Sequence, residues 1–224
     1  MKKIHKFIIP FFALFLVLTS FNTKHDLEID PGKDKALILV LNYMLSNGHY
    51  LPKDIDDTFS EQVYKSFIEG LDPSKRYFTQ KDLKVFSQYK YEIDNQIKNS
   101  DLSFYKLVYG RFTEKIKSAK EYYGQILAQP FKFSKKESID VDYSKKDFAA
   151  NESELMDYWR KQLKLNTISK IQEKQDYEKD TYKKNKKFKK SSFSELEKEA
   201  RKEVLKNMDD LYIRIEELEH EDWF

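Results

Sequence analysis

Two Ser-x-x-Lys spacings, Ser87/Lys90 and Ser103/Lys106, set a hydroxyl about one helical turn from an amine, the pairing a Ser/Lys acyl-transfer dyad needs. A sequence this rich in serine and lysine produces that spacing by chance, so neither pair singles itself out. The histidines His5, His25, His49 and His220 include no H-x-x-x-H pair, which leaves a helical zinc site without support. His220-Glu221 has the opening of a zincin motif but not its second histidine. The acidic run Glu216-Glu217-Leu218-Glu219-His220-Glu221-Asp222 offers oxygens to a hard cation, yet it reads more simply as a solvated helix end. There is no G-x-S-x-G, no Gly-rich phosphate loop and no cysteine nucleophile. No catalytic residue, metal ligand or cofactor is expected from these residues.

What has to be positioned is therefore a scaffold, and composition says of what kind. Hydrophobic residues make up 40% of the 224 and aromatics 15%, enough for a packed core. Gly and Pro number only five each, a poor supply for the corners of a β-sandwich or barrel. Met1–Lys6 is basic and Phe7–Phe21 is a nearly unbroken apolar run interrupted by Pro10. That is the layout of an export signal, so residues 1–24 are expected to be a signal peptide or membrane anchor and the chain to be periplasmic. The formal charge of +3 is carried by Lys2, Lys3 and Lys6; without them the chain is neutral, and no nucleic-acid partner is expected. Zero cysteines suits an oxidising compartment.

The rest reads as helix after helix. Lys35–Ser46 is apolar and ends towards Gly48 and Pro52. Thr58-Phe-Ser-Glu61 has capping-box spacing ahead of Phe59, Val63 and Phe67. Thr79-Gln-Lys-Asp82 opens a third helix, with Leu83, Phe86, Ile93 and Ile97 expected on one continuous face. A long fourth begins at Asp101, carries Leu107, Val108, Phe112, Ile116, Ala119, Tyr123, Ile126 and Leu127, and stops before Pro130. Ile139, Val141 and Tyr143 alternate with Asp140 and Asp142, which suits a short extended piece. Asn151-Glu-Ser-Glu154 caps a fifth helix with Leu155, Trp159 and Leu163. Ser192-Phe-Ser-Glu195 opens a sixth, with Leu196, Ala200, Val204, Met208, Leu211 and Ile215 inward. Between these two, 174–191 reads as a Lys-rich linker or exposed helix face. The expected fold is all-α, an irregular bundle of about six helices.

One segment carries a more specific signal. Leu71-Asp72-Pro73-Ser74-Lys75-Arg76-Tyr77-Phe78-Thr79, followed by Asp82, resembles the first-domain signature of the tail-specific (carboxy-terminal processing) serine proteases, L-D-P-x-[KR]-x-Y-F-[LT]-x-x-D. Physically, Pro73 sets a turn after a helix, Tyr77 and Phe78 pin it to the core, and Thr79 caps the next helix. Asp57–Phe59 with Ser60-Glu61 resembles the family's D-x-x-F-S-E entry, and Gln129–Phe133 its apolar link. Asn151–Trp159, with Asn151, Glu154, Leu155 and Trp159, resembles its N-E-x-E-L-x-x-x-W helix start. The resemblance runs over about residues 33–224, with 33–173 as the N-terminal helical domain and 192–224 as a long helix beyond it.

The resemblance implies a periplasmic endopeptidase in which a PDZ domain captures a substrate's free C-terminus and a core cleaves with a serine nucleophile and lysine base. Neither module is present in this sequence, so no catalytic residue carries over and the chain is expected to be a truncated, inactive scaffold region. Implied partners are the PDZ and protease modules, an adaptor lipoprotein, and exported proteins with apolar C-termini. The alternative is a stand-alone periplasmic helical interaction module. Trp223 and Phe224 read as the first buried residues of a further helix.

Overall fold

In the computed structural model the residues described are 31–44, 47, 54–143 and 145–218. They form seven α-helices and one 3-10 turn, and no strand. The expected signal segment, Gly48, Pro52, the four histidines, Trp223 and Phe224 lie outside the described residues. Backbone contacts divide the chain into residues 1–34 and 35–224; the core described below belongs entirely to the second unit. Among the described residues no helix is long and apolar enough to cross a membrane.

Helix α1 (Pro31–Tyr43) begins on a proline, whose missing N–H has no helical partner to lose at that position. It buries Ile38 but exposes Leu37, Leu39, Val40, Leu41 and Tyr43. Helix α2 (Asp57–Leu71) corrects one expectation: its cap is Asp56, whose carboxylate accepts from the Phe59 N–H at 2.9 Å, and not Thr58. Thr58 already lies inside the first turn, where its hydroxyl cannot reach the free N–H groups ahead of it.

A second correction concerns the expected continuous helix from Thr79 to Ile97. It breaks into α3 (Gln80–Phe86), a 3-10 turn (Ser87–Tyr89) and α4 (Ile93–Asn99). Two side chains take the carbonyls that a continuing helix needs. Ser87 Oγ donates to the Lys84 carbonyl at 2.8 Å and Gln88 Nε2 to that of Val85 at 3.0 Å. The break lets α4 turn onto α2, where Ser60 Oγ donates to Asp94 Oδ1 (2.9 Å) and accepts from the Asp94 N–H (2.8 Å).

Helix α5 (Ser103–Leu127) packs against α3 and against the two longest helices, α6 (Glu152–Lys184) and α7 (Phe193–Leu218). Its buried face follows the helical period through Phe104, Val108, Phe112, Ile116, Ala119, Tyr123 and Leu127. Helices α6 and α7 lie along one another as a hairpin. In α7 the inward stripe is Leu196, Ala200, Val204, Met208 and Tyr212; Leu211, expected inside, is exposed and Ile215 only half-buried. The spacing of four simply continues from Met208 to Tyr212. Helix α6 runs on to Lys184, so the first part of the Lys-rich stretch is helical and only 185–192 is loop.

The segment between α5 and α6 forms no strand at Ile139–Tyr143, and Val141 is exposed. Its sole pairing among the described residues is a single parallel bridge, Thr79 to Ala149. Charge ties it down instead. Glu137 receives Arg160 at 3.0 and 2.5 Å and Lys164 at 2.6 Å, and these cations hold its carboxyl down at about 2.

Ser60 is fully buried and satisfies two Asp94 groups at once. Ser60→Ala is expected to destabilise the chain by about 1–3 kcal/mol in urea unfolding. Ser118→Ala, which removes an exposed hydroxyl bonded to its own helix, should change stability by less than about 0.5 kcal/mol. Equal effects of the two would disprove this coupling of α2 to α4.

Candidate functional site

The residues singled out in the sequence converge on the reversal between α2 and α3. Asp72, 1% exposed, accepts three consecutive backbone N–H groups: Arg76 at 2.8 Å and Tyr77 and Phe78 at 2.9 Å each. Burial pushes its pKa above the ordinary carboxylate value, against the pull of these donors and of the Arg76 charge. Pro73 occupies the second position of a turn closed by Lys75 N–H on the Asp72 carbonyl at 3.0 Å, where its fixed φ fits. Lys75 then takes a left-handed conformation (φ 49°), which swings the chain back toward the core.

Beyond the reversal the chain runs inward. Tyr77 and Phe78 are buried; Arg76 stays half-exposed, its guanidinium over the rings of Tyr77 (5.0 Å) and Trp159 (5.5 Å). Tyr77 meets Phe112 edge-on at 5.3 Å, and Phe78 meets Phe86 edge-on at 5.2 Å. Thr79 and Asp82 form a reciprocal capping box. Asp82 is in turn faced by Lys115 of α5 at 3.2 Å, and Lys115 also pairs with Glu152 at the start of α6. Leu71 is buried beside this cluster, while Pro73 itself is exposed.

The second marked segment locks onto the first. Asn151 caps α6 by accepting from the Glu154 N–H at 3.1 Å, and the Glu154 carboxylate accepts from Ala150 N–H at 2.8 Å. Leu155 and Trp159 then point inward, and Trp159 Nε1 donates to the Arg76 carbonyl at 2.9 Å. Tyr212 of α7 completes the cluster. It is fully buried and its hydroxyl donates to the Tyr77 hydroxyl at 3.2 Å, burial holding its pKa above the ordinary phenol value. Sequence reading missed Tyr212; the unbroken spacing of four from Leu196 was the signal.

Two lysines clasp the outside of this turn. Lys75 Nζ donates to the Lys146 carbonyl, and Lys146 Nζ donates to the Lys75 carbonyl at 3.2 Å while lying 2.8 Å from the centre of the Tyr158 ring. Burial pulls Lys146 down to about 8. A shallow cleft opens beside it, lined by Arg76, Tyr143, Tyr158, Trp159 and Gln162.

Neither Ser-x-x-Lys spacing forms a dyad. Ser87 donates to the Lys84 carbonyl, and Lys90 pairs with Glu61 at 2.6 Å. That contact raises the Lys90 pKa, the wrong direction for a general base at neutral pH. Ser103 Oγ donates to Asp101 at 2.7 Å.

Comparison with known proteins agrees with what the turn suggests. Residues 40–224 match the family described as the tail specific protease N-terminal domain. The chain is also similar to the tail-specific protease of Haemophilus influenzae, 25% identical over 126 residues. That stretch covers 56% of this chain and 18% of the Haemophilus protein, so the chain matches only about a fifth of that relative's length.

Replacing Asp72 by Ala leaves three inward N–H groups without an acceptor, and should cost about 3 kcal/mol or more in urea unfolding. Asp72→Asn keeps one acceptor oxygen and should cost less; a neutral Asp72→Ala would refute the arrangement. Lys146 gives a pH signature. Its folded pKa of about 8 lies below the model-peptide value of 10.5, so between these values the unfolded chain binds the extra proton. Its contribution to stability therefore rises with pH from about 8 to 10. Lys146→Met should flatten the pH dependence of the unfolding free energy across that window.

Proposed function

We propose, on the premise that this chain belongs to the tail-specific protease family as its N-terminal domain, that it is the scaffold region of an exported C-terminal processing serine endopeptidase and does no chemistry itself. The observation that carries this reading is the fate of the signature residues. Asp72, Tyr77, Phe78, Asp82, Leu155 and Trp159 are buried, and their polar groups are engaged by backbone, caps or one another. Groups so engaged are not free to attack or to move a proton; they hold helices in register.

In the whole enzyme this region carries PDZ and protease modules, which take substrates by apolar C-termini, and an adaptor lipoprotein docks on the assembly. The export segment at residues 1–24 delivers the chain to the periplasm. Helix α1 supports the docking role: Leu37 and Leu41, one turn apart, are both exposed.

The purified chain, incubated with a peptide ending in apolar residues, is expected to yield no new termini by mass spectrometry; turnover surviving contaminant controls sinks the non-catalytic reading. A PDZ–protease portion of a tail-specific protease, added in trans, should bind the labelled chain saturably. Leu37→Glu/Leu41→Glu should weaken that binding at least about tenfold. Absence of binding by the folded chain counts against the scaffold role.

A further inference from the structure

The hairpin of α6 and α7 ends in a concentration of charge that the hub around Tyr77 does not use. Residues 181–192 read TYKKNKKFKKSS, with six lysines and no acid, and all six lysines are exposed. Only Lys183 has a carboxylate within ion-pair distance among the described residues, Asp180 at 2.8 Å.

The loop is built, not slack. Asn185 closes α6 through its N–H on the Thr181 carbonyl (2.8 Å), and its side chain and carbonyl accept from Lys187 N–H and Phe188 N–H at 3.0 Å each. The buried Glu178 carboxylate accepts from the Ser191 N–H at 3.1 Å, drawing the return strand of the loop against α6. Lys186 and Lys190 flank the Tyr182 ring at 4.6 and 4.9 Å. The sequence run thus becomes a compact cationic cap on helices of 33 and 26 residues, about 50 and 39 Å long.

We infer that this hairpin tip is a docking surface for a bilayer of anionic lipid headgroups. Three observations favour a flat surface over a nucleic acid. Lysine is a point charge suited to diffuse attraction, and no arginine occurs between Arg160 and Arg201 to fork onto a particular phosphate. Aromatic residues rim the tip: Tyr182 and the well-exposed Phe193, side chains suited to a water–lipid boundary. Carboxylates resume just below, at Asp176, Asp180, Glu195 and Glu199. Asp180, about 6 Å down α6 from Lys184, is already paired with Lys183, and the remaining acids lie along the helix shafts and not at the apex. A planar surface meets the lysines of the apex first, whereas a long polyanion tracking down the hairpin runs into the acids along its shafts.

The chain has no cysteine, so Ser191→Cys gives a single label at the tip. The full-length chain, carrying an environment-sensitive dye there, is titrated with phosphatidylglycerol vesicles and with phosphatidylcholine vesicles. The expected result is a blue shift with the first only, lost at about 0.5 M salt. Each lysine contributes about fivefold to such binding, so Lys184→Gln/Lys187→Gln/Lys189→Gln should weaken it about a hundredfold. Lys81→Gln/Lys117→Gln/Lys136→Gln removes the same charge elsewhere and should leave the shift intact, both variants keeping the parent's circular dichroism. Sedimentation driven by the apolar N-terminal segment alone would leave the dye in water and overturn the inference. So would equal losses in the two triple variants, or a DNA duplex producing the shift at lower concentration than the vesicles at the same salt.

Discussion

A buried carboxylate dictates the rest of this fold. Asp72 sits where water cannot reach it, and a charge in that position is tolerable only if the protein itself supplies hydrogen bonds. Three consecutive N–H groups can converge on one side chain only when the backbone doubles back tightly, which it does through Pro73 and the left-handed Lys75. Once that reversal exists, the chain runs directly into the core. Arg76 faces out, Tyr77 and Phe78 face in, and Thr79 arrives at the start of α3 with its hydroxyl ready to cap. The Arg76 carbonyl in turn needs a donor, and Trp159 brings one from α6.

Around that turn the interior is aromatic where an aliphatic core would have served for burial alone. Rings meeting edge to face fix mutual angle as well as distance, and phenols add a polar handle that accepts only a few partners. Tyr77 touches Phe112 on α5, Trp159 on α6 and Tyr212 on α7, so one side chain sets the relation of three helices. Lys115 repeats the pattern with charge, joining the cap of α3 to the first turn of α6. These contacts specify the relative orientation of the helices better than interchangeable aliphatic packing does.

What could be read from the sequence followed from local rules. The all-α class, the length of α5, the caps at Thr79, Asn151 and Ser192, and the inward stripes of α5 and α7 all rest on periodicity and side-chain reach within a few residues. The misses have a common physical origin. Ending α3 at Phe86 depends on Ser87 and Gln88 choosing backbone carbonyls, and the new direction of α4 depends on Ser60, thirty-four positions away. Choosing Asp56 over Thr58 as a cap turns on a two-residue shift in helix start, which propensity does not resolve. Leu211 looked the better core residue by hydrophobicity, but Tyr212 lies on the face that meets Tyr77. Around the turn, Leu71–Asp82 marked the place without revealing that Trp159 bonds directly to it.

The bond between Tyr77 and Tyr212 joins positions 135 apart in the chain. A polypeptide emerging N-terminus first has its reversal, its α5 spine and its first aromatic layer in hand long before the residue that closes them exists. Until α7 arrives, the faces of α5 and α6 that it covers have no lid, and the early helices can fray and re-form at little cost. Closing the core therefore waits on a contact of long sequence separation. Until that closing residue is in place, the first part of the core is built but not yet sealed.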